Sequence, residues 1–231
     1  MLIAGSQKLS LVDYPGHLAA VIFTAGCNFR CGYCHNPGLV LFDGRGAIAK
    51  EELLSELSRR RNMIEGVVIS GGEPTLAPDL PEFAESLKEM GFLVKLDTNG
   101  SDPDMVFRML RDRVIDYVAM DVKTSLSRYE EVTGVKGIAP LIEESIRWIM
   151  LSCVPYEFRT TCVPGLTDET EIASISELIR GANKYCLQQF SRNNAILDDK
   201  FSDVIPFSPD KIKSLAAIAK DKVSSVETRG I

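Results

Sequence analysis

The sequence is short of histidine, of basic tracts and of long apolar runs, and each shortage removes a class of function. Only His17 and His35 occur in 231 residues, which leaves little for chemistry that relies on imidazole as acid or base. Arg59-Arg60-Arg61 is the one basic tract, and 26 basic against 32 acidic side chains give a net charge of −6. No nucleic-acid groove is expected on such a surface. The longest apolar runs, Leu18 to Phe23 and Ile146 to Leu151, fall far short of the roughly 20 residues that a spanning helix needs. The N-terminus also lacks the basic and apolar regions of a signal peptide. These absences predict a soluble cytoplasmic chain with no membrane partner.

What is present is ordinary globular material, 45% apolar and 25% charged, in a length that suits one domain with a sizeable core. No linker or low-complexity stretch divides it. The reading is a single domain over 1–231, with a core at about 17–192, an N-terminal extension over 1–16, and a C-terminal helix and tail over 193–231. Six cysteines in a reducing compartment are not expected to form disulfides. Cys27, Cys31 and Cys34 lie together, whereas Cys153, Cys162 and Cys186 are scattered and read as buried space-fillers.

Short β-branched runs alternate with helical patterns along the chain. Strands are expected at Ala19 to Phe23, Val67 to Ser70, Phe92 to Leu96, Ile115 to Met120, Phe158 to Val163 and Tyr185 to Gln189. Helices are expected at Lys50 to Arg60, Asp79 to Met90, Asp104 to Leu110, Leu141 to Met150, Glu169 to Ile179 and Pro209 to Lys220. About six βα units imply an α/β fold with a parallel sheet and right-handed crossovers. Such a sheet either curls toward a barrel or lies flat, and in both layouts the strands' C-terminal ends carry the chemistry.

Polar and glycine-rich signatures do stand at those ends. Cys27-x3-Cys31-x2-Cys34 follows the first strand, and three thiolates on so tight a loop suit an iron–sulfur cluster, or zinc with His35 as a fourth ligand. A second cysteine pair, usual in structural zinc sites, is missing. Gly71-Gly72-Glu73-Pro74 follows the second strand; glycines allow a ligand close to backbone carbonyls, although a tight turn accounts for them too. Asp97-Thr98-Asn99-Gly100, Asp121-Val122-Lys123 and Arg159 stand at the next three strands. Taken singly, each suits a cap, a turn or a surface ion pair. On one parallel sheet they all face one mouth.

With these residues in place the sequence resembles the radical S-adenosylmethionine enzymes, through the cysteine loop with Tyr33 before its last cysteine and through Gly71-Gly72-Glu73-Pro74. Within that family it is most similar to activases of glycyl radical enzymes, above all those serving anaerobic ribonucleoside-triphosphate reductase. That narrower likeness rests on Lys8 to Gly16, Tyr33-Cys34-His35-Asn36-Pro37, Asp97 to Gly100, Asp121 to Lys123 and Gln188-Gln189-Phe190, and it covers roughly residues 5 to 192.

The resemblance implies a partial TIM barrel of (βα)6 type and a [4Fe-4S] cluster on Cys27, Cys31 and Cys34, with S-adenosylmethionine chelating the remaining iron. It puts Tyr33 beside the adenine, Gly71 and Gly72 at the methionine amino group, and Glu73 in support. Asp97, Thr98, Asn99, Asp121 and Lys123 would border the methionine moiety, some of them with a monovalent cation, and Arg159 would lie near its carboxylate or ribose. The implied activity is reductive cleavage to a 5′-deoxyadenosyl radical that takes hydrogen from a glycine of a partner enzyme, with flavodoxin or ferredoxin as electron donor. No side chain need act as acid or base, and both histidines, placed near the N-terminal part of the site, read as structural.

Three rival readings share parts of this pattern: an activase of pyruvate formate-lyase, a small-molecule enzyme like 7-carboxy-7-deazaguanine synthase, and a zinc-binding structural domain. Anaerobically purified protein should be brown and bleach with dithionite, and Cys31→Ala should remove colour and S-adenosylmethionine cleavage together. A colourless, zinc-bearing protein would sink every radical reading.

Overall fold

The computed structural model describes residues 1–192 and 195–231. Eight strands form one sheet in chain order: β1 (Ile3–Ser10), β2 (Ala19–Thr24), β3 (Gly66–Gly71), β4 (Leu93–Thr98), β5 (Tyr117–Asp121), β6 (Tyr156–Cys162), β7 (Tyr185–Gln189) and β8 (Val226–Arg229). β1 runs antiparallel to β2, and every later pair is parallel. Among the described residues β8 does not pair back to β1, so the sheet forms a partial barrel. The six expected strands are β2 to β7. Both edge strands went unforeseen, because the N-terminal extension and the C-terminal tail carry no run of β-branched apolar residues.

Helices α1 (Pro37–Val40), α2 (Lys50–Arg60), α3 (Leu80–Glu89), α4 (Pro103–Arg111), α5 (Tyr129–Thr133), α6 (Ala139–Leu151), α7 (Glu169–Leu178) and α8 (Pro209–Ala219) complete the chain. None is long and apolar enough to cross a membrane. Their starts follow from local chemistry. Asp102, Asp168 and Ser208 accept from the backbone N–H groups of Met105, Glu171 and Lys211 at 2.9, 2.8 and 3.2 Å, satisfying donors that a helix N-terminus leaves free. α3 stops before Gly91, whose φ of +89° suits a residue without Cβ.

Strand alternation divides the interior in two. Ala20, Ile22, Val67, Ile69, Val94, Leu96, Val118, Met120 and Phe158 pack under the helices in the main apolar core. The alternate positions face the barrel lumen, where Tyr14, Ala19, Val21 and Val68 form a small apolar plug. Further round the sheet the lumen turns polar: Lys95, Glu157, Arg159, Lys184, Glu227 and Arg229 line a cavity of about 570 Å³. His17 corrects an expectation. It precedes β2 and contacts Glu65, just before β3, at 2.5 Å, so it sits at the opposite end of these strands from the cysteine loop.

The C-terminal strand is tied in by charge. Arg229 donates two hydrogen bonds of 2.7 Å to the Glu157 carboxylate, which is only 1% exposed. Burial alone would raise the Glu157 carboxyl, but Arg229, with Arg159 and Lys95 nearby, holds it below its ordinary value. A depressed folded-state value means that this contribution to stability is complete above the ordinary carboxylate range and is lost as pH falls below it. Arg229→Met should therefore destabilise the protein by about 3 kcal/mol, the low end for breaking a buried pair, since Lys184 remains 3.5 Å from Glu157. Urea unfolding at pH 7 and pH 4 checks both points: the gap between wild type and variant should narrow at pH 4, and a gap that widens would refute the pairing.

Candidate functional site

The C-terminal ends of β2 to β7 surround a cavity of about 240 Å³. Lining it are Cys27, Cys31, Tyr33 and Cys34; Gly71, Gly72 and Glu73; Asp97, Thr98 and Asn99; and Asp121, Lys123 and Arg159. His35 lines it as well.

The cysteine loop leaves β2 through Gly26, whose φ is +83°. The Phe29 N–H lies 3.4 Å from Cys27 Sγ, and the Asn99 side-chain amide, on the β4 end, lies 3.8 Å from the same sulfur. Burial pushes the Cys27 thiol up and the Cys31 thiol up to about 11, with Lys123 pulling both back. Ligation needs thiolates, so loading this loop releases protons. Among the described residues no three His, Cys, Asp or Glu side chains are grouped as a single-ion site. The buried Tyr33 hydroxyl lacks a hydrogen-bond partner among the described residues, as a pocket completed by a bound molecule would leave it. Burial and then Lys123 lower the His35 imidazole below its ordinary value, so it stays neutral beside the cysteines.

The Gly-Gly pair serves the backbone first. A Cβ on Gly72 would fall 1.9 Å from Gly26 O, and one on Gly71, at φ +118°, would fall 2.4 Å from Thr24 N and O. That approach lets Gly72 N–H and Glu73 N–H donate to Thr24 O and Gly26 O at 2.9 and 2.8 Å. Glu73, 2% exposed, accepts from Thr75 Oγ1, Thr98 Oγ1 and Asn99 N–H at 2.6, 2.7 and 2.6 Å. Burial raises its carboxyl, and these donors act against that rise. Glu73 thus braces the β3 end against the β4 end.

Acid and base alternate across the remaining strand ends. Lys95 pairs with Asp97; Arg159 reaches Asp97 at 3.3 Å and Asp121 at 2.7 Å; Lys123 reaches Asp121 at 2.8 Å. Burial would raise Asp97 and Asp121, yet Arg159 with its neighbouring lysines holds both carboxyls below their ordinary values. Burial would lower Arg159 and Lys123, and the carboxylates hold both above theirs. Asp97, Asp121, Arg159 and Lys123 therefore carry charge at neutral pH. Arg159 stands at the centre of the chain.

Lys95, Ser70 and Gln188 were missed as site residues. Ser70 donates to Asp97 at 3.0 Å, and Gln188 lines the cavity. The signal for Lys95 was legible: a lysine between Val94 and Leu96 in a buried strand must face the side opposite those two.

Residues 21–178 match the model of the Radical SAM superfamily. The chain belongs to this superfamily, whose members use a [4Fe-4S] cluster and S-adenosylmethionine. It is 37% identical, over its whole length and 96% of the relative's, to a Methanocaldococcus jannaschii protein named as a glycyl-radical enzyme activating enzyme. It is 30% identical to the pyruvate formate-lyase-activating enzyme of Clostridium pasteurianum, over 93% of this chain and 95% of that one. Among solved structures, Streptococcus suis SuiB bound to its precursor peptide SuiA superposes with a TM-score of 0.71 at 13% identity, over 91% of this chain. This chain spans about half of SuiB, 48% of its length.

Arg159→Lys should lower the unfolding free energy of the apoprotein by about 2 kcal/mol, because one ammonium cannot span both carboxylates as the planar guanidinium does. Chemical denaturation measures this, and an unchanged midpoint would show that the bridge contributes nothing.

Proposed function

We propose that this protein is a radical S-adenosylmethionine activase that generates a glycyl radical on a partner enzyme, and that the partner is anaerobic ribonucleoside-triphosphate reductase. The observation that carries the reading is a three-cysteine loop facing charged strand ends in a chain that aligns along its full length with a protein named as a glycyl-radical enzyme activating enzyme. When bound, the cluster and S-adenosylmethionine supply a one-electron cleavage that yields a carbon radical able to take hydrogen from glycine.

The chain's own task is to bind, orient and exclude water. Cys27, Cys31 and Cys34 hold the cluster. Tyr33 borders the adenine, and the carbonyls of Gly71 and Gly72 receive the methionine amino group. Glu73 acts at one remove, since its oxygens are engaged by Thr75, Thr98 and Asn99. Asp97, Thr98, Asn99, Asp121 and Lys123 border the methionine moiety. Arg159, its guanidinium held by Asp97 and Asp121, lies near the methionine carboxylate or ribose. No acid–base residue is required, and His35 stays a neutral neighbour.

The reductase as partner draws support from Tyr33 to Pro37, Asp97 to Gly100, Asp121 to Lys123 and Gln188 to Phe190, whereas Asp13-Tyr14-Pro15-Gly16 suits an activase of pyruvate formate-lyase equally well. An external donor of flavodoxin or ferredoxin type supplies the electron, and the setting is the cytoplasm. Electron paramagnetic resonance on the reduced, reconstituted protein mixed with candidate partners tests the reading. A glycyl doublet should grow on the reductase when S-adenosylmethionine is present. A doublet on pyruvate formate-lyase alone would reassign the partner, and cofactor cleavage without a doublet on either would overturn the activase.

A further inference from the structure

The cysteine loop is held from two sides, and the second side comes from the far C-terminal part of the chain. Cys27 is approached by Asn99 from the β4 end. The Cys31–Cys34 half meets instead the segment that follows β7. Leu197 N–H donates to Cys34 O at 3.0 Å, and Asp198 N–H donates to Gly32 O at 2.9 Å. Beyond them a short 3-10 turn, Asp199–Phe201, brings the Phe201 ring edge-on to Tyr33, with centroids 6.1 Å apart and planes at 74°. Asp198 caps this turn by accepting from Lys200 N–H at 3.0 Å. Further on, Phe207 O accepts from the Gln189 side-chain amide at 2.6 Å, which anchors the segment back to β7.

Gly32 records the closeness of this contact. Its φ lies outside the left-handed region that favours glycine, so no backbone demand excludes a side chain there. What excludes one is the segment itself: a Cβ on Gly32 would stand 2.6 Å from a Phe201 ring carbon and 3.2 Å from Asp198 Cβ.

We propose that residues 197–201 form a strap that positions the Cys31–Cys34 half of the cluster seat, with Phe201 as the positioning residue and Gly32 as the surface it bears on. The inference rests on the cluster belonging to this loop, and on nothing about the partner enzyme. Two backbone hydrogen bonds fix the carbonyls on either side of Tyr33, and the aromatic ring keeps water from that side of the loop. Outer partners of metal ligands govern retention of the metal and the environment of its sulfurs.

Anaerobically reconstituted wild type, Gly32→Ala, Phe201→Ala and the double variant test this by the rate of iron loss to an external chelator. The electron paramagnetic resonance spectrum of the reduced cluster, with and without S-adenosylmethionine, is the second readout. Phe201→Ala should speed iron loss roughly tenfold, as loss of an outer partner does, and alter the spectrum while leaving the apoprotein's circular dichroism unchanged. Gly32→Ala should lose iron faster still, because its methyl drives the loop off the ring. The double variant should lose iron no faster than Phe201→Ala alone, since the methyl then occupies space the ring has left.

Wild-type retention and spectrum in Phe201→Ala would overturn the strap, and so would strictly multiplicative rates in the double variant. Should Gly32→Ala fail to fold, Phe201→Ala decides by itself. A wild-type chain that takes up no iron would overturn the cluster seat instead, a distinct result.

Discussion

The buried chain of alternating charge from Lys95 through Asp97, Arg159 and Asp121 to Lys123 is the interaction on which the rest of the site depends. Each group alone would be costly at so buried a position. Together they compensate one another, and each strand end from β4 to β6 is tied to the next through its own side chain. A second set, Glu157 with Arg229 and Lys184, repeats the arrangement deeper in the lumen and draws in the last strand. The sheet can thus stay open between β1 and β8 and still hold fixed positions at its mouth.

Much of this was legible in the residues. The short β-branched runs of β2 to β7 and the helical patterns between them located six βα units, and the polar residues after each strand located the mouth. The edge strands were not legible for a physical reason. β1 carries Gly5, Ser6, Gln7 and Lys8, and β8 is a four-residue strand reading Val-Glu-Thr-Arg. Both are set by pairing with a neighbour and, for β8, by an ion pair to Glu157, so neither announces itself as an apolar run.

The same limit applies within the site. Gly71 and Gly72 read as room for a ligand, and they do line the pocket, yet their lack of Cβ is already demanded by Thr24 and Gly26. Glu73 read as negative charge near a ligand, and its oxygens are taken by three neighbouring residues. A motif that meets a ligand must first close a backbone turn, and the turn's requirement alone accounts for the residue types. Which backbone comes close is a matter of strand register, Thr24 opposite Gly71, and register is not written in the motif.

The cysteine loop takes the argument one step further. Its ligands lie within eight residues, so spacing alone gives the donor set, but spacing does not hold a loop still. One half is fixed by Asn99 and the other by Leu197 and Asp198, and these segments meet only because the sheet has wrapped far enough to bring the chain after β7 beside the chain after β2. Curvature of the sheet therefore enters directly into the geometry of the thiolates. A flatter sheet would leave the carbonyls of Gly32 and Cys34 without the backbone donors that Leu197 and Asp198 supply.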